Sequence, residues 1–342
     1  MIKYRSAIVG CGGRARMHAL AYQFITGGEL VACCDLDEIK REVFAAEFGL
    51  HSYLDATEMI QKEKPDLVHL VTAPNSRVGL MKLVDEQNIP ACIVEKPIST
   101  EVQDWKALVA LSKSTKTRFG VGAQFRYHPD MVRIREFIRS GKLGAVRFLD
   151  FSAVGTICDQ GVHGLDWAMS LIDDSVPRRI FGFASGADNL YHPMHPSPDT
   201  SLAKITFAND IEGIWINGWT APRVLEDPAY YKHGRVCAYT EKGYALYEEF
   251  GKWEMISPSE SHYGSVNDLG WLHGNHLAQA ALTDGMFQWM EGGLQVGTNL
   301  RTALIQWNAV LGLYASTVWR KPIDLPFDPP DNLWDMFVRT LQ

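Results

Sequence analysis

The sequence lacks an excess of positive charge. Its 342 residues contain 33 Lys and Arg against 40 Asp and Glu, which gives a formal net charge of -7 with neutral histidines. Proteins that bind nucleic acids through the phosphate backbone carry basic surfaces, so this balance argues against a DNA or RNA partner. The composition, with 46% hydrophobic and 21% charged residues, is that of a globular protein.

Long apolar runs and paired cysteines are also missing from the sequence. No hydrophobic run approaches the length of a membrane-spanning helix, and the opening residues lack the segments of a signal peptide, so we expect neither membrane insertion nor export. The histidine-containing loops lack zinc-ligand spacing, and we predict no metal. The cysteines lie mostly in apolar stretches without Cys-x-x-Cys spacing, which predicts buried free thiols in a reducing cytoplasm. They are Cys11, Cys33, Cys34, Cys92, Cys158 and Cys237.

A glycine-rich turn near the N-terminus carries the strongest functional signal. An apolar stretch leads into the pattern Gly-x-Gly-x-x-Ala at residues 10–15. The first glycine permits a tight turn, the second lets backbone N–H groups approach a pyrophosphate, and the alanine lets a helix pack closely on the sheet. The diphosphate would then lie at the positive end of that helix. The residues predicted to contact a dinucleotide here are Gly10, Cys11, Gly12, Gly13, Arg14 and Ala15.

An acidic residue follows at the spacing that dinucleotide-binding domains use. Asp35 ends a second apolar stretch, twenty residues beyond Ala15. A carboxylate at this position accepts hydrogen bonds from the adenosine ribose and repels a 2'-phosphate, so it favours NAD over NADP. The alternative is that Asp35 only caps the next helix. Together, the turn and the acid predict an NAD-binding domain.

Residues 1–122 alternate apolar strands with helical segments. Because the strands lack polar alternation, they predict a doubly wound parallel sheet of the Rossmann type, covered by helices on both faces. Ligands of such sheets bind at the carboxyl ends of the strands. Two polar loops follow strands here, one containing Thr72, Pro74 and Asn75 and the other containing Glu95 and Lys96. We expect both loops to face the cofactor, although Lys96 could instead be a solvated charge paired with Glu95.

Residues 123–342 show a different pattern. Consecutive alternating strands with short turns predict a large, mostly antiparallel sheet with helices on one face, which makes this an α+β domain for substrate binding and oligomerisation. Within it, Asp159 and His163 are four residues apart, so on a helix they would share one face. A carboxylate beside an imidazole raises its basicity, as a general base requires. The alternative is a structural histidine near a helix start.

The order of these motifs resembles the family named for glucose-fructose oxidoreductase, inositol dehydrogenase and MocA. The similarity extends over nearly the whole chain and includes Gln-Phe-Arg-Tyr at residues 124–127. It implies a cytoplasmic, NAD(P)-dependent dehydrogenase of sugars, inositols or polyols, assembled as a dimer or tetramer through the C-terminal sheet. It also implies that Lys96, Asp159 and His163 are catalytic, and that these three bind substrate together with Gln124 and Arg126.

Three functions remain open at this point. The first is release of a ketone and a reduced cofactor after oxidation of a secondary hydroxyl. The second uses the same oxidation transiently, so that a 3-keto sugar undergoes elimination or epimerisation and NAD is recycled. The third is a non-catalytic NAD-sensing regulator of the same fold, against which the joint presence of Lys96, Asp159 and His163 argues.

Overall fold

Two compact units make up the part of the chain that the computed structural model describes, residues 4–266 and 270–342. Unit 1 contains the described residues up to Ser99, with Lys106–Tyr127 and Leu272–Ala303. Unit 2 contains Thr100–Trp105, the described residues of His128–Trp271, and Leu304–Gln342. The two units are interleaved in the sequence, because the late segment Leu272–Ala303 belongs to unit 1. This division differs from a single boundary between residues 122 and 123.

The strands and helices follow one another in the order that an NAD-binding domain and a second sheet require. The strands are β1 (Tyr4–Val9), β2 (Gly28–Cys34), β3 (His51–Tyr53), β4 (Leu67–Leu70), β5 (Ala91–Val94), β6 (Arg118–Val121), β7 (Val146–Ala153), β8 (Pro177–Ser185), β9 (Thr200–Phe207), β10 (Glu212–Gly218), β11 (Arg235–Thr240), β12 (Tyr244–Glu248), β13 (Lys252–Ile256), β14 (Ser261–Ser265) and β15 (Ile323–Asp324). The helices are α1 (Gly13–Ala21), α2 (Glu38–Phe48), α3 (Ala56–Glu63), α4 (Pro74–Glu86), α5 (Val102–Ser114), α6 (Pro129–Arg139), α7 (Val162–Ser170), α8 (Trp271–Met290), α9 (Leu300–Trp319) and α10 (Leu333–Leu341).

The sheet of unit 1 is parallel, with strand order β3-β2-β1-β4-β5-β6 among the described residues. This is the order of a dinucleotide-binding Rossmann fold, and it reverses direction between β1 and β4. The carboxyl ends of these two strands are directly paired, Val9 with Leu70. The predicted fold class of the N-terminal part is confirmed, and the reversal places the turn after β1 beside the loop after β4.

Local sequence signals define several helices of unit 1. Asp37 and Asp55 cap α2 and α3 by accepting the backbone N–H groups of Lys40 and Glu58. Proline occupies the first position of α4, where its missing N–H has no helical partner to lose. Helix α4 therefore begins at Pro74.

Helix α8 supplies part of the core of unit 1. Its Met286 and Phe287 are buried in one apolar cluster with Leu67 of β4 and Ile93 of β5. Burial of side chains of this size contributes roughly 1.5–3 kcal/mol each. The helix is predicted from its spacing, but its packing on the N-terminal sheet is not.

The sheet of unit 2 is mostly antiparallel, as predicted. Its order among the described residues is β14-β13-β12-β11-β7-β10-β9-β8-β15, and only β7 and β10 run parallel. Helices α6 and α7 pack on this sheet, and Ser316 of α9 accepts the backbone N–H of Gly182 in β8. The strands β8, β13, β14 and β15 are absent from the sequence-based prediction.

The opposite face of this sheet carries apolar side chains on three neighbouring strands, with Lys204 of β9 between Phe181 and Ile214. Phe181 and Phe183 of β8 are about half exposed. By register, Phe181 lies in line with Ile214 of β10, and Phe183 lies in line with Leu202 of β9 and Ile216 of β10. We call these five apolar residues the outer apolar face.

Candidate active site and cofactor site

The turn after β1 has the conformation that the sequence motif requires. Gly10 has a φ of +96°, and a Cβ atom there would overlap the carbonyl oxygen of Val71, so only glycine fits without displacing the neighbouring loop. Its N–H donates to the carbonyl of Cys34, and the N–H of Val71 donates to that of Val9. The turn is therefore fixed between the ends of β2 and β4.

The remainder of the glycine-rich loop fits a bound dinucleotide. Gly12 and Gly13 are exposed, and a Cβ atom built on either residue would meet open space. Gly12 is the N-cap of α1, whose first turn contains no acidic residue. An uncrowded helix N-terminus with free backbone N–H groups is a binding site for a phosphate group. Ala15 is fully buried, as close packing of the helix requires.

Asp35 lies beside this loop at the carboxyl end of β2. Its Oδ2 atom accepts the backbone N–H of Cys11 at 2.7 Å, and its Oδ1 atom accepts that of Asp37 at 2.9 Å. The side chain is half-buried and does not cap α2, because Asp37 performs that role. Asp35 therefore holds the glycine-rich loop, and the predicted ribose contact stays a prediction.

A buried arginine connects the two polar loops. Arg77 of α4 donates to the carbonyl oxygen of Thr72, through Nε at 3.2 Å and Nη2 at 2.8 Å, and to the carbonyl oxygen of Pro97. Burial lowers the pKa of Arg77 to about 10, so the side chain is still charged at neutral pH. Both loops are thus fixed by one side chain. Arg77 is not identifiable from the sequence, since a single arginine on a helix carries no motif.

The buried Glu95 forms an ion pair with the partly exposed Arg14 in unit 1. Arg14 Nε donates to Glu95 Oε1 at 3.0 Å, and only 4% of Glu95 is exposed. Burial would raise the pKa of Glu95, but Arg14 and a hydrogen bond from His18 outweigh it and keep the pKa below its usual range. Arg14 and His18 are therefore both partners of Glu95. Lys96, the next residue, is half-buried.

The other predicted site residues of unit 1 differ in their exposure and in their contacts. Pro74 begins α4 and is buried, whereas Asn75 is exposed. Gln124 and Arg126 are buried in a 3-10 turn, and Gln124 Nε2 donates to Asn275 Oδ1 at 3.3 Å. Substrate binding by Gln124 and Arg126 stays a prediction.

Asp159 and His163 lie in unit 2 on a continuous helical segment. Asp159 belongs to a single turn of π-helix, Ile157–Gly161, and His163 belongs to α7, which follows directly. The side chain of Thr156 accepts the N–H of Asp159 and so caps the turn. Isolated π-helical turns often occur at functional sites, because they alter the direction of side chains within a helix. His163 is buried and stacks on Trp167.

Tyr230 is a neighbour of Asp159 that the sequence analysis missed. Its hydroxyl donates to Asp159 Oδ2 at 3.0 Å, and its ring contacts Trp219 edge to face. Burial, with the nearby Asp159 charge, raises the pKa of Tyr230 to about 12, so the phenol remains a donor at neutral pH. The two residues are 71 positions apart, and no local pattern relates them.

Among the described residues, no group of three His, Cys, Asp or Glu side chains could hold a metal ion. No helix within residues 4–266 and 270–342 is long and apolar enough to cross a membrane. The six cysteines are all buried and unbridged.

The fold and the cofactor site define an NAD-binding Rossmann domain joined to a second α/β unit. Residues 4–123 match the model of an oxidoreductase family with an NAD-binding Rossmann fold. Over these residues the chain is similar to the family named for glucose-fructose oxidoreductase, inositol dehydrogenase and MocA.

Relatives of known activity match part of the chain. D-apiose dehydrogenase of Paraburkholderia graminis is 30% identical over 143 residues, which cover 42% of this chain and 38% of that protein. Inositol 2-dehydrogenase of Rubrobacter xylanophilus is 27% identical over 140 residues, covering 40% of each chain. The chain thus spans about two fifths of the length of these relatives.

A solved structure matches almost the whole chain in fold. Levoglucosan dehydrogenase, in complex with NADH and levoglucosan, superposes with a TM-score of 0.81 and covers 95% of this chain and 100% of its own, at 14% identity. Similarity at this level of identity shows a shared fold.

Proposed function

We propose that the protein is an NAD-dependent dehydrogenase that oxidises a secondary hydroxyl of a sugar, inositol, polyol or glycoside. The observation that carries this proposal is the cofactor site of unit 1, where an open glycine-rich loop is held by Asp35 at the switch point of a Rossmann sheet. The named activities of the relatives, which oxidise apiose and inositol, support the substrate class.

The chain's own residues account for cofactor binding. Gly12, Gly13 and the N-terminus of α1 would receive the diphosphate, and Asp35 would accept the ribose hydroxyls. Thr72, Pro74, Asn75 and Glu95 would border the nicotinamide from the loops that Arg77 holds. When bound, NAD supplies the acceptor for a hydride.

Three side chains would carry the proton chemistry. His163 takes the proton of the substrate hydroxyl, Asp159 stabilises the resulting imidazolium, and Lys96 holds the substrate oxygen and favours negative charge on it. Tyr230 supports this assignment, because the hydrogen bond that its hydroxyl donates fixes the position of Asp159 Oδ2. Gln124 and Arg126 are proposed as further substrate contacts.

A substrate screen tests the proposed function. The protein is mixed with NAD and a panel of inositols, aldoses, polyols and glycosides, and absorbance of the reduced nicotinamide is followed at several pH values. We expect NADH to accumulate with at least one member of the panel. Product formation without accumulating NADH would indicate transient oxidation with a recycled cofactor. NAD binding without turnover of any compound would favour a regulator and contradict the dehydrogenase.

We further propose that copies of the chain associate through the outer apolar face in a cytoplasmic dimer or tetramer. Exposed phenylalanines such as Phe181 and Phe183 would be covered in such an assembly. Light scattering is expected to give the mass of a dimer or tetramer. Phe183→Glu should lower that mass, because it buries an unpaired charge, whereas Tyr263→Glu at an exposed position of β14 should not. A monomeric parent protein would contradict the assembly.

A further inference from the structure

A chain of buried hydrogen bonds crosses the interior of unit 1 and ends at Glu95. Tyr22 Oη lies 2.8 Å from His69 Nε2, His69 Nδ1 lies 3.0 Å from His18 Nδ1, and His18 Nε2 lies 2.8 Å from Glu95 Oε1. Both histidines are fully buried. His69 is in β4, between Val68 and Leu70, where an apolar residue would be expected in a strand buried on both faces.

The direction of every hydrogen bond in this chain follows from its ends. An ionised carboxylate only accepts, so His18 carries its proton on Nε2 and donates to Glu95. Burial lowers the pKa of His18 and lowers that of His69 well below its usual range, so both rings are neutral. His18 Nδ1 is then an acceptor, His69 donates to it from Nδ1, and the Tyr22 hydroxyl donates to His69 Nε2. Each residue therefore donates a hydrogen bond to the next one, in the order Tyr22, His69, His18. Glu95 accepts the last of these bonds.

The carboxylate at that end is held on its other sides as well. Arg14 donates to the same Oε1 atom and also to Gln279 through Nη2 at 3.3 Å. A Cβ atom at Gly122 would overlap the carboxylate of Glu95, which shows how closely the end of β6 packs against it. Glu95, the residue that precedes Lys96, is thus bonded to the first turn of α1, which follows the glycine-rich loop.

We propose that Tyr22, His69 and His18 are positioning residues: by orienting Glu95 towards Arg14, they fix the glycine-rich loop and the backbone of Lys96 in one arrangement. The part that concerns Lys96 rests on the proposed function. None of the three residues is assigned a contact with substrate or cofactor.

Substitutions along the chain test this proposal through NAD affinity, measured by calorimetry. His18→Leu removes the donor to Glu95 and should weaken NAD binding about tenfold, the size expected for a hydrogen bond to a charged group. His18→Gln, whose amide can donate from a similar position, should restore affinity to within about threefold of the parent. His69→Leu should weaken binding about threefold, and Tyr22→Phe should change it less than about twofold, because each is further from Glu95.

The pH dependence of thermal stability is a second measurement. A change in packing alone would not alter it. The charged and titratable groups around Glu95 are Arg14 and His18 from α1, Arg77 from α4, His69 from β4, and Lys96. In His18→Leu the burial remains while a donor is lost, so the pKa of Glu95 rises. Stability from a carboxylate with a depressed pKa is lost as pH falls through that pKa. The acid-side fall in thermal stability, measured without NAD, should therefore be smaller in His18→Leu than in His18→Gln and should end at a higher pH.

The possible outcomes separate this inference from the proposed function. Equal losses in His18→Leu and His69→Leu, no rescue by glutamine, or an unchanged pH dependence of stability would overturn the positioning chain. If His18→Leu does not fold, His18→Gln, His69→Leu and Tyr22→Phe still show whether the effect declines with distance from Glu95. A parent protein that turns over no substrate would contradict the dehydrogenase, while the stability measurements would still decide the role of the chain.

Discussion

Lys96→Met and His163→Ala are each expected to lower substrate turnover at least about 100-fold, the scale of lost acid-base catalysis. NAD affinity should remain within severalfold of the parent, because neither substitution removes the glycine-rich loop or Asp35. Steady-state kinetics on a substrate from the screen, with calorimetry of NAD binding, measures both quantities. The loss should appear in kcat more than in KM, since the interactions concern charge that develops during proton transfer.

Matched controls distinguish this result from a general loss of charge or structure. Lys82→Met removes an exposed lysine from α4, and His262→Ala removes an exposed histidine from β14, so neither should change turnover. Thermal unfolding shows whether His163→Ala still folds, since its imidazole is buried against Trp167. Full turnover in Lys96→Met or in His163→Ala would refute the role assigned to that residue.

Asp35→Ser should weaken NAD binding at least about tenfold and increase the preference for NADP relative to NAD. The substitution removes an anion that would repel a 2'-phosphate, and it leaves at most one of the two backbone hydrogen bonds, to Cys11 and to Asp37. Calorimetry with both dinucleotides provides the measurement.

The control for this prediction is a carboxylate two residues further along the chain. Asp37→Ser removes the same charge, but Asp37 is the N-cap of α2 and serine is also a good N-cap. We expect this variant to keep the parent's ratio of NAD to NADP affinity. An unchanged ratio in Asp35→Ser would argue against the ribose contact.

Strands β1, β2, β4 and β5 of unit 1 could be predicted because the residues at their carboxyl ends are buried. Their apolar runs are continuous, and the glycine motif and Asp35 identify the chemistry of the carboxyl edge. Strands β13 and β14 were missed because Lys252–Ile256 and Ser261–Ser265 lie at the sheet edge, with largely exposed residues and weak alternation. The packing of α8 on unit 1 was not foreseen, since a helical pattern does not indicate which sheet the helix covers.

The contacts that orient the site residues could be predicted less well than the residues themselves. Tyr230 reaches Asp159, and His69 reaches His18, across 71 and 51 positions of sequence. Such pairs depend on strand register and on the paths of loops, which composition and spacing do not determine. The bonds of Glu95 to Arg14 and His18 were likewise not indicated by the sequence, because they join residues 81 and 77 positions apart.

Arg77 has a consequence for altering this protein. Its guanidinium donates hydrogen bonds to main-chain oxygens of two loops. These oxygens are present whatever side chains the loops carry. Neighbouring positions such as Asn75 can therefore be randomised in search of new specificities while the loops keep their course, provided that the guanidinium itself is left in place.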